Sequence, residues 1–233
     1  DDLSSKQVSL LFYTSTQRVA VSEHGDAMAC AIHRRSMQPL DSMHKTEEFS
    51  ETYRDLETRE SPEILNTILD AQERGLAALR PVVPAIAAAA DAAADVLRTH
   101  PNGRLIYAGA GTSARLGVQD GVELVPTFGW PEARLAYLIA GGPGALTRTA
   151  EGAEDNVEQA MADARALSLC EGDVCISLSA SGVTPYAIAA CNAARTAGAL
   201  TIGIANNMGA TLLKAAAFPI LLETGPEPIG GST

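Results

Sequence analysis

The chain has 233 residues, 46% of them hydrophobic, with 17 basic and 28 acidic side chains and a formal charge of −11. This is one large domain, or one domain with appendages, with enough apolar material for a core, so wholesale disorder is excluded. An acidic balance of this size repels phosphate backbones and argues against nucleic acid as the main partner.

Four cysteines (Cys30, Cys170, Cys175, Cys191) show neither CxxC nor a zinc-site spacing. They read as reduced, mostly buried thiols of an intracellular protein. Histidine occurs only at 24, 33, 44 and 100, little material for a metal site or a Ser-His-Asp triad, so no metal is expected. The longest purely apolar run, near Pro84–Ala90, is short and alanine-dominated; no membrane span is expected.

In chain order, residues 1–45 lack a clear period and read as an extension or mobile arm, and not as a signal peptide. Residues 46–102 form a helical segment. Ser61-Pro62-Glu63 opens its first helix, with Ser61 as expected N-cap, and Ile64, Leu65, Ile68, Leu69, Leu76 and Leu79 follow at helical spacing. Pro81 and Pro84 break it, and an alanine-rich helix runs over about 84–99.

From 103 to 233 the grammar is α/β. Short apolar strands are expected at Arg104–Ala108, Arg134–Ala140, Asp173–Leu178, Leu200–Ala205 and Phe218–Leu222, with helices over about 112–124, 143–151, 154–168, 184–197 and 209–216. Strands alternating with helices, apolar along their whole length, predict parallel βαβ units buried on both faces, with ligands at the carboxyl ends of the strands. The chain stops at Gly230-Gly231-Ser232-Thr233, which reads as a truncation.

Two strand-to-helix loops are candidate anion sites. The first carries Gly111, Thr112 and Ser113; the second carries Ser179, Ala180, Ser181, Gly182 and Thr184. Each sets small hydroxyl residues at a helix N-terminus, where free N–H groups and the dipole favour a phosphate. Plain helix capping explains either loop alone; two such loops after parallel strands are harder to explain that way. The first loop also fits GxGxxA, but the strand that follows ends Ile139-Ala140-Gly141-Gly142 without the acid a dinucleotide ribose requires. No cofactor is expected.

Asp120 and Glu123 lie at the end of the first loop's helix, and EGAED supplies Glu151, Glu154 and Asp155. At i, i+3 and i+4 these three share a helix face. They either stabilise a helix start or, with an acid from another segment, divide acid and base chemistry beside an anion site.

Several runs resemble bacterial N-acetylmuramic acid 6-phosphate etherases: RLIYAGAGTSARLGVQDGVELVPT at 104–127, LIAGG at 138–142, EGAED at 151–155, SASGVTPY at 179–186 and GPEPIGGST at 225–233, with TEEF, DLET and EIL over 46–65. The resemblance implies a sugar isomerase (SIS) fold: a three-layer sandwich with about five parallel strands flanked by helices, as a cytoplasmic homodimer. It implies a lyase that cleaves the D-lactyl ether of N-acetylmuramic acid 6-phosphate to N-acetylglucosamine 6-phosphate and D-lactate in peptidoglycan recycling. In that mechanism the C2 proton leaves, lactate is eliminated from C3 and water adds. By motif, Glu123 protonates the leaving oxygen and Glu154 takes the C2 proton, while Ser113, Ser179, Ser181 and Thr184 hold phosphate. Both chemistries suit carboxyl groups. Ala114 and Val183 depart from the family's usual Gly and Arg, Ser179 from its Ala, the Arg-Asn usual after Thr-Glu is absent at 48–50, and the family continues beyond residue 233 with a basic segment. A phosphosugar-sensing module without catalysis, and an aldose–ketose phosphosugar isomerase, are the other readings.

Overall fold

A computed structural model describes residues 45–48 and 50–229. Nearly all of the 1–45 extension, the four closing residues 230–233, Cys30 and three of the four histidines lie outside the described residues.

Two helices precede the sheet: α1, Ser61–Leu79, and α2, Val83–Thr99, joined by a 3-10 turn at Arg80–Val82. The joint is where Pro81 and Pro84 remove backbone donors. Ser61 is not the cap. Glu60 takes that position in extended conformation, Ser61 is the first helical residue, and Pro62 occupies the first turn, where its missing N–H costs nothing. Contrary to expectation, Ser61–Thr99 contains one stretch apolar enough by length and composition to cross a bilayer. Alanine supplies much of it and 17% of it is buried; within α2, Ala89, Ala90, Ala93, Ala94 and Leu97 are buried against the sheet.

The remainder alternates β1 (Leu105–Gly109), α3 (Gly111–Phe128), β2 (Leu135–Ile139), α4 (Val157–Leu167), β3 (Val174–Leu178), α5 (Pro185–Thr196), β4 (Leu200–Ala205), α6 (Thr211–Ala215) and β5 (Phe218–Leu221). All five strands are parallel, in the order β2-β1-β3-β4-β5. Side chains alternate across the pleat. Leu105, Tyr107, Val174, Ile176, Ile202 and Ile220 face α2 and the end of α3, whereas Ile106, Ala108, Leu138 and Cys175 face α4 and α5. This is the expected three-layer α/β sandwich.

Glycines let α3 lie close to the sheet. A Cβ at Gly117 would stand 3.0 Å from Leu178 Cδ1, and one at Gly121 2.7 Å from Tyr137 Oη. Beneath them Tyr107 donates to the buried Asp120 at 2.7 Å. Burial, reinforced by the Asp120 charge, pushes the Tyr107 phenol well above its ordinary pKa, so it remains a donor. At the amino edge of the sheet the fully buried Asp173 receives Arg104 Nη2 at 2.6 Å, Arg104 Nε at 3.0 Å and the backbone N–H groups of Arg104 and Cys170.

Candidate active site

The strand order reverses between β1 and β3: β2 lies on one side of β1 and β3 on the other. At such a switch point the loops leave the sheet in opposite directions and open a crevice at the carboxyl edge. Both candidate anion loops begin there. Gly109 and Leu178, the last residues of β1 and β3, are register partners, so the loops depart at one level.

The first loop is an open cradle. Ala110 is the α3 N-cap in extended conformation and makes no side-chain cap bond. The first α3 amide with a backbone partner is that of Ala114, bonded to Ala110 O at 3.2 Å. The N–H groups of Gly111, Thr112 and Ser113 therefore point out of the helix end. Gly111 has φ +53°, and nothing lies within 4 Å of where its Cβ would stand. Thr112 and Gly111 are exposed and Ser113 is half-buried. Simple side-chain capping does not account for this loop.

The second loop is built differently. Thr184 is the α5 N-cap, yet its hydroxyl makes no capping bond; it contacts Ser179 Oγ at 2.8 Å. Ser179 Oγ accepts from Gly182 N at 2.9 Å and lies 3.3 Å from Ser181 Oγ. Ser179 and Ser181 are buried, so these hydroxyls chiefly shape the loop. Gly182 is required at φ +71°, where a Cβ would stand 2.4 Å from the Ala210 Cβ. Pro185 has no N–H and Ile188 N returns to Thr184 O, which leaves the amides of Tyr186 and Ala187 at the helix end.

A pair that sequence reading missed holds this loop. Asn207, 2% exposed, donates from Nδ2 to Ser181 O at 3.2 Å and to Thr46 Oγ1 at 2.9 Å, and receives Thr46 N at 3.2 Å. Thr46 O in turn accepts Glu227 N. The start and end of the described chain are thus fastened to the second loop. The partners are 161 residues apart, and no local signal joins them.

The carboxylates divide. The EGAED run does not form the helix face expected of it. Gly152 is left-handed, Ala153–Asp155 is a single 3-10 turn, and α4 starts only at Val157, capped by Asn156. That turn packs against α5, the helix following the second loop, and against Gly141 after β2, so Glu154 lies exposed at the carboxyl edge. Asp120 is a core residue bonded to Tyr107. Glu123 faces solvent on the outer side of α3, more than three turns beyond the first loop. The structure thus brings the two loops and the Glu154 turn to one edge and leaves Glu123 apart. Among the described residues no group of three or more His, Cys, Asp or Glu is placed to hold a metal.

Comparisons with known proteins place the chain among relatives. A family model described as the glucokinase regulatory protein N-terminal SIS domain matches residues 88–195. The chain is 46% identical over 189 residues to the N-acetylmuramic acid 6-phosphate etherase of Deinococcus radiodurans, covering 81% of this chain and 61% of that one. It is 42% identical over 206 residues to that of Streptomyces avermitilis, covering 88% and 66%. It is 42% identical over 179 residues to that of Salmonella agona, covering 77% and 60%. The chain thus spans somewhat less than two thirds of the length of these curated relatives. At 42–46% identity over 77–88% of its length to these proteins, and with a SIS-domain model over residues 88–195, the chain belongs to the N-acetylmuramic acid 6-phosphate etherase family of the SIS fold.

Proposed function

We propose that the chain is the greater part of a lyase that cleaves the D-lactyl ether of N-acetylmuramic acid 6-phosphate, releasing D-lactate and N-acetylglucosamine 6-phosphate. The observation that carries the reading is the pair of anion cradles leaving β1 and β3 at one level, beside the Glu154 turn. The cradles have no Lys or Arg of their own. They bind the 6-phosphate through Gly111, Thr112 and Ser113 and the amide end of α5, with helix dipoles favouring the charge.

With the phosphate fixed, C2 of the ring-opened sugar is presented to Glu154, which is exposed and takes the proton. That proton is acidic because the adjacent aldehyde delocalises the charge. The electron pair forms the C2–C3 double bond as the C3–O bond breaks, and Glu123 delivers a proton to the departing lactate oxygen. Water then adds at C3 and C2 is reprotonated. Atoms balance: one water is consumed for each ether cleaved.

Assembly is proposed as a homodimer, supported by Leu65, Leu69 and Leu76, an exposed apolar row along α1. A cytoplasmic place in peptidoglycan recycling is supported by free Cys170, Cys175 and Cys191, as a reducing compartment keeps them. The test is D-lactate release from N-acetylmuramic acid 6-phosphate by the wild-type chain and by Glu154→Gln. The proposal expects release from the former and at least a hundredfold loss in the latter, in line with the ~10²–10⁴ typical of a positioned base. Equal rates would remove Glu154 from the mechanism.

A further inference from the structure

A buried tyrosine joins the helix of the second anion loop to the element that carries Glu154. Tyr186 is the second residue of α5 and is 0% exposed. Its amide stands at the α5 end. Its side chain belongs to the core cluster that includes Ala160 of α4 and has Ala110 of the first loop and Ala153 of the Glu154 turn packed against it. Tyr186 Oη donates to Asp163 Oδ2 of α4 at 2.6 Å, and Gln159 Nε2 donates to Asp163 Oδ1 at 2.7 Å. Gln159 N donates to Asn156 Oδ1 at 2.9 Å, and Asn156 N closes the Glu154 turn on Ala153 O at 3.3 Å. Linked hydrogen bonds thus run from α5 through α4 to the turn that carries Glu154. Among the described residues, Tyr186–Asp163 is the only side-chain hydrogen bond between α4 and α5. Burial, reinforced by the Asp163 carboxylate, pushes the Tyr186 phenol above its ordinary pKa, so it remains a donor. The rest of this helix contact is small: Ala160, Ala164, Ala187, Ala190 and Ala194 are buried. Alanine faces approach closely but present shallow ridges, which fix the register of two helices weakly.

We infer that Tyr186 is a positioning residue for catalysis: through Asp163 it fixes α4 on α5 and so sets Glu154 at its distance from the phosphate held at the α5 end. The inference rests on the proposed role of Glu154 and adds what holds that residue in place. The substrate spans a limited distance between its phosphate and C2, so the base must stand within that reach of the cradle. Glu154 lies on a single 3-10 turn, which has few bonds of its own. That turn packs on α5 and leads directly into α4. A slip of α4 along α5 therefore carries the carboxylate with it, and a misplacement of about 1 Å costs about a hundredfold in rate.

The experiment compares Tyr186→Phe, Asp163→Ala and Asp163→Asn with wild type. Tyr186→Phe keeps the ring and the amide and removes only the hydroxyl. In it and in Asp163→Ala, kcat for D-lactate release should fall about 10–100-fold, while Kd for N-acetylglucosamine 6-phosphate changes less than about twofold. The double variant should be no slower than the slower single one, because both break one link. Asp163→Asn still accepts from Tyr186 and should keep at least about a third of wild-type kcat. A merely structural role would weaken ligand binding along with kcat; that result, or an unchanged kcat in Tyr186→Phe, overturns the inference. A second readout needs no turnover. By NMR, the Asn156, Gln159 and Ala160 amides of Tyr186→Phe should exchange with solvent at least about tenfold faster, with the β3 amides of Cys175 and Ile176 unchanged. Unchanged exchange at the start of α4 overturns the inference. A wild-type chain that releases no D-lactate counts against the etherase reading instead, and amide exchange then decides by itself whether Tyr186 holds the Glu154 turn.

Discussion

Replacing Asn207 by alanine removes a side chain that fastens the second anion loop to the N-terminal segment. Three groups lose a partner: Thr46 N–H, Thr46 Oγ1 and Ser181 C=O. Ala180 O, a long contact of the same amide at 3.5 Å, keeps Asn206 N–H at 2.9 Å. The Thr46 hydroxyl can rotate, so two buried backbone groups are stranded, each at about 1–3 kcal/mol. A water entering the polar hole recovers part of this. A net loss of about 2–4 kcal/mol is expected, a large fraction of a typical total of about 5–15 kcal/mol. Asn207→Asp is a sharper probe, because an ionised carboxylate cannot donate to Ser181 O. It should cost at least as much at neutral pH and regain part of the loss as the group is protonated. Urea denaturation with unchanged m-value reads the stability, and weaker protection by N-acetylglucosamine 6-phosphate reads the loop. If both variants unfold within about 0.5 kcal/mol of wild type, the tether is not what holds the loop, and the accounting is wrong.

Other outcomes follow from the same geometry. Burial pushes the Asp173 carboxyl up, but the Arg104 hydrogen bond, the amides of Cys170 and Arg104 and the Arg104 charge together hold it below its ordinary value. Its stabilisation is therefore complete above the unfolded pKa of about 4 and is lost as pH falls through the lower folded value. Asp173→Asn should cost about 3–5 kcal/mol at pH 7 and remove that part of the acid-induced fall in the urea midpoint. Gly182→Ala must adopt φ +71° against Ala210; it should cost about 1–3 kcal/mol and weaken phosphosugar binding, measured by calorimetry. Burial pushes the Cys175 thiol up to about 12. Peptide mapping after a brief maleimide pulse should find Cys170, which is exposed, labelled in the folded chain, and Cys175 and Cys191 labelled only after unfolding.

The sheet was legible because its strands are short apolar runs bounded by glycine and turn residues. Leu200–Ala205 falls where expected and the other four differ only at their ends. Helix ends were harder. The α3 helix runs past Leu124 through Pro126 to Phe128, because Gly129 in left-handed conformation returns its N–H to Leu124 and Val125 carbonyls. The EGAED spacing suggested a helix face, but Gly152 interrupts it, and acids at i and i+3 carry no sign of that break. The two loops were found from their strand–loop–helix grammar. What those hydroxyls do depends on tertiary partners: Thr184 turns to Ser179 and not to its own helix. The Thr46–Asn207 tether joins residues 161 positions apart and follows only from the fold. The remoteness of Glu123 needed no coordinates beyond a continuous helix, since residue count and rise per residue set it.

The most direct test of the central claim is to run the reaction in D₂O with N-acetylmuramic acid 6-phosphate and follow it by NMR. The account predicts one D-lactate per sugar consumed, and one deuteron at C2 of the N-acetylglucosamine 6-phosphate formed. Lactate released with C2 still protiated would contradict proton abstraction by Glu154, and deuterium at C2 without lactate would identify an isomerase in place of the etherase.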